Sequence, residues 1–301
     1  MIKERILIIG YGFITSHFIQ YSKDKYLFRV LDRNTIKSKS VSESFKCDFI
    51  NYKDIKDNLL NNIDQVIFAL SPYRSTNNPD LDYHNKFILA FDEFLKHCNE
   101  YKIKKIILLS SAVVYGTNSR LNIFHEESEL DYSNEYAIEK INLEKKIISG
   151  LTKTPTQVQI LRIANPYGPD LSFKKPKTFI NILIDKYRKK ETLEIANGGK
   201  TIRDFIFIND VSKYIELTIK YTGKNRIFNI SSGIGCSMNK VIKIFNDMNI
   251  KPEINILPVI GKDESVLSNQ LANELLGIAK NLSIELGSKE YYNYLKKTKS
   301  I

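Results

Sequence analysis

Tyr136 and Lys140 stand four positions apart in a stretch with helical spacing, downstream of Ser110-Ser111-Ala112-Val113-Val114-Tyr115-Gly116. Residues at i and i+4 of a helix share a face, so a phenol and an ammonium meet there. Free tyrosine, with a pKa of about 10, is a poor base near neutral pH. A neighbouring positive charge favours its phenolate. Such a pair can take the proton of a secondary alcohol, or return one to a ketone, while hydride moves to or from a nicotinamide. A serine hydroxyl would orient the reacting oxygen, and Ser111 is the one chosen here. The candidate catalytic group is therefore Ser111, Tyr136 and Lys140.

The pair alone says little. Tyr-x-x-x-Lys occurs five times, at Tyr21/Lys25, Tyr52/Lys56, Tyr101/Lys105, Tyr136/Lys140 and Tyr292/Lys296. Only Tyr136/Lys140 lies on a helical stretch that follows a strand tipped with serines, and context carries the signal. Taken singly, Ser110 and Ser111 read as strand-end residues that satisfy backbone groups. Tyr136 alone reads as a helix residue packed on a sheet.

The start of the chain supplies the missing partner. The β run Arg5 to Ile9 ends directly in Gly10-Tyr11-Gly12-Phe13-Ile14-Thr15. A phosphate needs bare backbone N–H groups and positive potential, and a glycine turn opening a helix offers both. Gly10, Gly12, Phe13 and Ile14 form the expected diphosphate cradle. Thr15 fills a motif position usually held by Gly or Ala, and is expected to loosen the packing of helix on strand. Asp32 lies 20 residues after Gly12, at the tip of the second strand. A carboxylate there can accept both ribose hydroxyls of NAD and would repel a 2′-phosphate. Arg33 beside it leaves room for NADP.

The elements that must position these groups follow from hydrophobic patterning. Tyr26 to Leu31, Asp64 to Leu70 and Lys105 to Leu109 are continuous apolar strands, as expected of a parallel sheet buried on both faces. Helices are predicted at Phe13 to Tyr21, Leu81 to Tyr101 and Ser133 to Ser149, the last capped by Ser133. Thr156 to Ile163 returns as a strand. This alternation predicts an α/β protein with a Rossmann-type doubly wound parallel sheet. After the turn Asn165-Pro166-Tyr167-Gly168-Pro169 the pattern loosens. Helices over 177–190, 210–221 and 237–248, with short strands over 193–195, 227–230 and 253–257, predict a smaller C-terminal α/β lobe. Residues 1–165 are expected to form the NAD(P)-binding domain. Residues 166–301 are expected to form mainly a substrate-binding lobe, interleaved with the end of the main sheet.

Composition narrows the function classes. The chain has 301 residues and a net charge of +11, from 45 basic and 34 acidic side chains. The basic residues are spread along the chain, whereas a nucleic-acid binder concentrates them in a patch. The excess still attracts an anionic ligand such as a nucleotide diphosphate. Cys47, Cys98 and Cys236 are scattered and fit reduced thiols. They show no metal-ligand spacing with His17, His84, His97 or His125, so no metal is expected. No stretch reaches the roughly 18 apolar residues of a membrane span, and the run Ile6 to Ile9 is too short for a secretory signal. A cytoplasmic protein with neither nucleic acid nor membrane as partner is expected.

On these residues the chain resembles the extended short-chain dehydrogenase/reductase family, in its NAD-dependent epimerase/dehydratase branch. The likeness rests on the glycine turn, Asp32, Cys47-Asp48-Phe49, the Ser110 to Gly116 segment, Tyr136-Ala137-Ile138-Glu139-Lys140, Leu161 to Pro169 and Arg203-Asp204-Phe205-Ile206-Phe207. The resemblance implies adenine contacts at Asp48 and Phe49, and a strand end beside the cofactor at Ala69 and Leu70. Ser111, four residues before Tyr115, matches the catalytic hydroxyl position. Asn165 and Arg203 match contacts to the diphosphate of a nucleotide sugar. NAD(H) or NADP(H) is implied as cofactor, a nucleotide-diphosphate sugar as substrate, and a homodimer built on the Tyr/Lys helix as assembly.

Three departures shape the reaction. Dehydratases of this branch carry an Asp-Glu pair after the catalytic hydroxyl, where this chain has Ala112 and Val113, which cannot transfer protons. Epimerases working beside a ketone use a Cys/His pair, and the Ser111 segment contains no Cys. Many 4-epimerases carry a late Arg-x-x-Asp clamp, where this chain reads Ile260-Gly261-Lys262-Asp263; Lys262 cannot make a bidentate contact. Two enzyme readings follow. One is reduction of a 4-keto-6-deoxyhexose linked to a nucleotide, serving surface polysaccharide synthesis. The other is 4-epimerisation with retained NAD. Thr15 and the absent Arg point to looser binding, and so to the reductase. A non-catalytic dinucleotide sensor or RNA-binding module is the reading from another class; such proteins commonly lose the Tyr or Lys kept here.

Overall fold

The computed structural model describes residues 3–72, 81–117, 123–172, 178–278 and 280–301. Strands β1 (Arg5–Ile9), β2 (Leu27–Asp32), β3 (Glu43–Lys46), β4 (Gln65–Phe68), β5 (Lys105–Ser111) and β6 (Gln157–Ile163) build the main sheet. β7 (Asn165–Tyr167), β8 (Leu193–Ile195) and β9 (Ile202–Phe207) leave it, and β10 (Arg226–Ile230) returns to its edge. The order is β10-β6-β5-β4-β1-β2-β3, and every neighbouring pair is parallel. This is a Rossmann-type α/β fold.

The helices are α1 (Phe13–Ser22), α2 (Lys56–Leu60), α3 (Leu81–Glu100), α4 (Glu135–Leu151), α5 (Phe179–Lys189), α6 (Ile208–Lys220), α7 (Met238–Asp247), α8 (Gln270–Leu276) and α9 (Ile284–Lys297). Alternate residues of β1 serve opposite faces of the sheet. Ile6 and Ile8 pack in one core with Phe18 of α1 and Val211 of α6, while Leu7 and Ile9 pack in another with Phe91 of α3 and Ile147 of α4. The chain passes from β1 to β2 on one side and later to β4 on the other. In such sheets the crevice beyond the strand ends at that reversal is the ligand site.

Several boundaries differ from the sequence expectation. Asn134, not Ser133, caps α4: its Oδ1 accepts Tyr136 N–H at 2.9 Å and Ala137 N–H at 3.2 Å. Ser133 is held in the preceding turn, where its N–H donates to Asp131. The predicted start of the 177–190 helix at Lys177 lies outside the described residues; α5 begins at Phe179. Strand β3 and helices α8 and α9 were not anticipated. β7, β9, β11 (Gly235–Ser237) and β13 (Glu264–Ser265) form a small mixed sheet, and β8 pairs with β12 (Ile254–Ile256). Among the described residues no helix is long and apolar enough to cross a membrane.

One buried lysine ties β5 to α6. Lys105 Nζ donates to the carbonyls of Thr218 at 2.9 Å, Ile219 at 2.6 Å and Tyr221 at 2.6 Å. These belong to the end of α6, where carbonyls lack helical partners and the dipole is negative. Burial lowers the amine to about 8. Lys105→Met is expected to cost about 2 kcal/mol in urea denaturation, because it removes the charged donor that these three carbonyls share.

Candidate active site

The glycine turn is specified twice over. Gly10 has φ of +99°, and a Cβ there would lie 2.6 Å from Leu70 Cδ2. Gly12 has nothing within 4 Å of a built Cβ, so its backbone faces open space. Thr15 corrects the sequence expectation. Its buried hydroxyl donates to the Gly10 carbonyl at 2.8 Å and accepts Gly12 N–H at 2.9 Å, stitching the turn to the first turn of α1. Asp32 is 7% exposed. Its carboxylate accepts Tyr11 N–H and Asn34 N–H, each at 2.9 Å, which holds it beside the turn.

A cavity of about 360 Å³ opens on these groups. Gly10, Gly12, Phe13, Ile14 and Asp32 line it, as do Ala69 and Leu70 beyond β4. Tyr136 and Lys140 line it from α4. A bare glycine backbone at a helix start, with a fixed carboxylate at the tip of the next strand, suits the diphosphate and ribose of a dinucleotide. Arg33, considered for a 2′-phosphate, is exposed.

The electrostatics of the Tyr/Lys pair differ from expectation. Lys140 Nζ lies 5.9 Å from the centre of the Tyr136 ring and donates to the Leu109 carbonyl at 3.1 Å. Burial lowers the amine to about 8, opposed by Glu144 and Glu139, which favour the ammonium. Burial also raises the Tyr136 phenol, where the sequence reading expected the lysine to lower it. The protein alone therefore favours a protonated phenol, because desolvation outweighs the neighbouring charge.

The remaining predicted residues sit as follows. Ser111 ends β5 and its hydroxyl accepts Val113 N–H at 3.3 Å; Ser110, not Ser111, is among the cavity-lining residues. Ala112 and Val113 follow in a 3₁₀ turn over Ala112–Tyr115. Asp48 caps the 3₁₀ helix Phe49–Ile55 and accepts the Tyr83 hydroxyl at 3.0 Å. Phe49 is 1% exposed and stacks on Tyr52 in the core, so its ring is not free to stack on a base. Neither lines the cavity. Asn165 donates to the Asp204 carbonyl at 3.1 Å. Arg203 is paired with Asp263 at 2.7 Å. Neither lines the cavity; their neighbour Pro166 does. Asp170 and Ser172, after the Pro/Gly turn, and Thr178 and Asn181, at the start of the helix predicted over 177–190, also line it; helical periodicity does not mark which polar residues face a cavity.

Comparison with known proteins follows this geometry. The model of the "NAD dependent epimerase/dehydratase family" matches residues 6–231. A Methanocaldococcus jannaschii protein, "Putative UDP-glucose 4-epimerase", is 27% identical over 300 residues, covering 95% of this chain and 96% of its own length. The dTDP-4-dehydro-6-deoxyglucose reductase of Escherichia coli is 28% identical over 220 residues, 73% of this chain and 66% of its own. Among solved structures, the UDP-glucose 4-epimerase of Thermotoga maritima with UDP-glucose superposes with a TM-score of 0.84 at 22% identity, covering 98% and 99% of the two chains.

The Thr15 stitch is open to test. Thr15→Val keeps the shape and removes both hydrogen bonds. It is expected to lower stability by about 1–2 kcal/mol in urea denaturation and to weaken NAD binding severalfold by calorimetry.

Proposed function

The chain belongs to the NAD-dependent epimerase/dehydratase family, and we propose that it oxidises and re-reduces C4 of a nucleotide-diphosphate sugar, as a UDP-sugar 4-epimerase with retained NAD. The observation that carries this is the convergence of Tyr136, Lys140, the glycine turn and Asp32 on one cavity. Ala112 and Val113, at the positions where dehydratases carry their proton-transfer pair, leave only the hydroxyl-centred chemistry. NAD, when bound, supplies the hydride acceptor and donor.

In this reading Tyr136 exchanges the proton of the C4 hydroxyl through its phenol oxygen. Lys140 supplies the positive charge beside it and, lining the same cavity, would help hold the nicotinamide ribose when NAD is bound. Ser111 orients the C4 oxygen. Burial keeps the phenol protonated, the form needed to return a proton to the C4 oxygen as hydride arrives. Two considerations favour epimerisation over net reduction. The Thr15 stitch removes the looseness that pointed to cofactor exchange. The M. jannaschii relative, named for 4-epimerisation, matches over nearly its whole length.

The second reading is reduction of a nucleotide-linked 4-keto-6-deoxyhexose. It is favoured by the E. coli reductase relative and by Ile260, 88% exposed where many 4-epimerases carry the clamping Arg. The two readings separate in one assay. An epimerase interconverts UDP-glucose and UDP-galactose, or their N-acetyl forms, without added NADH. A reductase leaves these untouched and consumes NADH with a dTDP-4-keto-6-deoxyhexose. NAD binding with neither activity would instead indicate a sensor. Tyr136→Phe is expected to cut turnover by about 1,000-fold or more while NAD affinity stays within a few-fold. Full activity in that variant would remove Tyr136 from the mechanism.

The assembly proposed is a homodimer through α3 and α4. Leu89 on α3 is 64% exposed and Ile148 on α4 is 46% exposed, apolar side chains that a second copy would cover. Light scattering after size exclusion is expected to give twice the chain mass, and Leu89→Asp to give the monomer.

A further inference from the structure

Glu144 lies one helical turn beyond Lys140, as Lys140 lies one turn beyond Tyr136, so all three share a face of α4. The Glu144 side chain is 4% exposed, and both its carboxylate oxygens are engaged. Ser110, adjacent to Ser111, donates its hydroxyl to Oε1. Arg162 of β6 donates Nε to both oxygens at 3.2 Å and Nη2 to Oε2 at 2.7 Å. The same guanidinium reaches the Tyr115 hydroxyl at 2.8 Å and the Glu126 carbonyl at 2.9 Å. Tyr115 in turn donates to Asn229 of β10 at 2.7 Å. One carboxylate thus joins α4 to the tip of β5 and, through Arg162, to β6, the Tyr115 turn and β10.

A buried ion pair adds little net stability, since desolvation offsets the attraction. Its consequence here is geometric. We propose that Glu144 is a positioning residue, whose carboxylate fixes the Tyr136/Lys140 face of α4 against the β5 tip that carries Ser111. The same carboxylate supplies negative charge beside the Lys140 amine. This rests on the C4 chemistry proposed for those three residues. The charged and titratable groups around Lys140 are limited. Its own helix offers Tyr136, Glu139 and Glu144, with His84 of α3 paired to Glu139 at 2.7 Å. β5 offers the Leu109 carbonyl and the Ser110 hydroxyl, and β6 brings Arg162 behind Glu144. Asp32 and Asp170 line the same cavity. Of these, Glu144 is the larger contributor to holding the ammonium.

The test uses the full chain carrying Glu144→Gln, with circular dichroism and NAD binding as checks of folding. Lysine labelled at Cε with carbon-13 is titrated by NMR, and the Lys140 signal is identified by its loss in Lys140→Arg. The Lys140 midpoint is expected about one pH unit below wild type. Turnover is expected to fall about 10- to 100-fold in kcat with KM within about twofold, and its alkaline limb to move to lower pH with the NMR midpoint. If the lone Arg162 prevents folding, Glu144→Gln/Arg162→Met removes both charges, and a smaller shift in the same direction is expected. An unmoved Lys140 midpoint in either folded protein overturns the proposal. So does Ser110→Ala with wild-type kcat, because that variant cuts the link to β5 alone. Absence of turnover in wild type would overturn the reaction proposed above, while the lysine titration still decides the role of Glu144.

Discussion

The site depends on keeping an ammonium charged in a dry joint. Lys140 is 4% exposed, and a backbone carbonyl, that of Leu109, accepts its proton at 3.1 Å. Burial draws its affinity for a proton down to about 8, against the pull of the Glu144 and Glu139 carboxylates toward the ammonium. That requirement organises the surrounding fold. β5 must end where its last carbonyls turn toward α4, and α4 must place positions 136, 140 and 144 on one face. The sheet must be parallel so that the end of β5 opens on the same edge as the glycine turn after β1. A parallel pairing of β5 with β4, and of β4 with β1, delivers that alignment over successive residues.

The phenol sets a complementary condition. Tyr136 is raised by burial, so the protein by itself presents a proton donor rather than a base. The reversible oxidoreduction proposed for this site needs both. The donor form is what the desolvated pocket provides, and the acceptor form needs positive charge close by, which Lys140 contributes only while protonated. The pair is therefore coupled through solvent exclusion: the dryness that makes Tyr136 hold its proton more tightly also loosens the proton on Lys140. Glu144 stands one helical turn beyond Lys140, as Tyr136 stands one turn before it, and its charge favours the ammonium.

How much of this was legible in the sequence follows the range of the interactions involved. The glycine turn, the continuous apolar strands and the Tyr/Lys spacing are local patterns, and each appears in the structure where the pattern put it. Thr15 was misread because its hydrogen bonds close backward onto Gly10 and Gly12, a side-chain detail that a motif position does not encode. Asn134 takes the cap from Ser133 because α4 begins at Glu135, which puts the Asn134 Oδ1 within reach of Tyr136 N–H and Ala137 N–H. The C-terminal half was least legible. Its small sheet is organised by Asp204, fully buried, which accepts Ser232 N–H at 2.8 Å and Gly233 N–H at 3.0 Å. That carboxylate is raised to about 6 by burial. Pairings of this kind span 28 or 29 positions and leave no periodic trace.

The two halves also differ in readiness. On the cofactor side, Gly10 after β1 and Asp32 at the tip of β2 stand in the arrangement a dinucleotide requires. On the other side, Arg203 is committed. Its Nη1 donates to the carbonyls of Ile202 and Asp263, and its Nη2 to the Asp263 carboxylate at 2.7 Å. Lys262, next to Asp263, pairs with Glu264 at 3.4 Å. Arg203 here braces the loop carrying Ile260 and Asp263 against β9, and it could grip a diphosphate only by exchanging a carboxylate for a phosphate. Such an exchange keeps the guanidinium paired throughout, so it avoids the penalty of a lone buried charge. Asp263 would keep its bond from the Thr201 hydroxyl at 3.0 Å, and Asn197 would still hold the loop through Ile260 N–H and the Gly261 carbonyl. In the proposed reaction that exchange is left to the substrate, whereas the Tyr136/Lys140 face is held in place beforehand by α4 and β5.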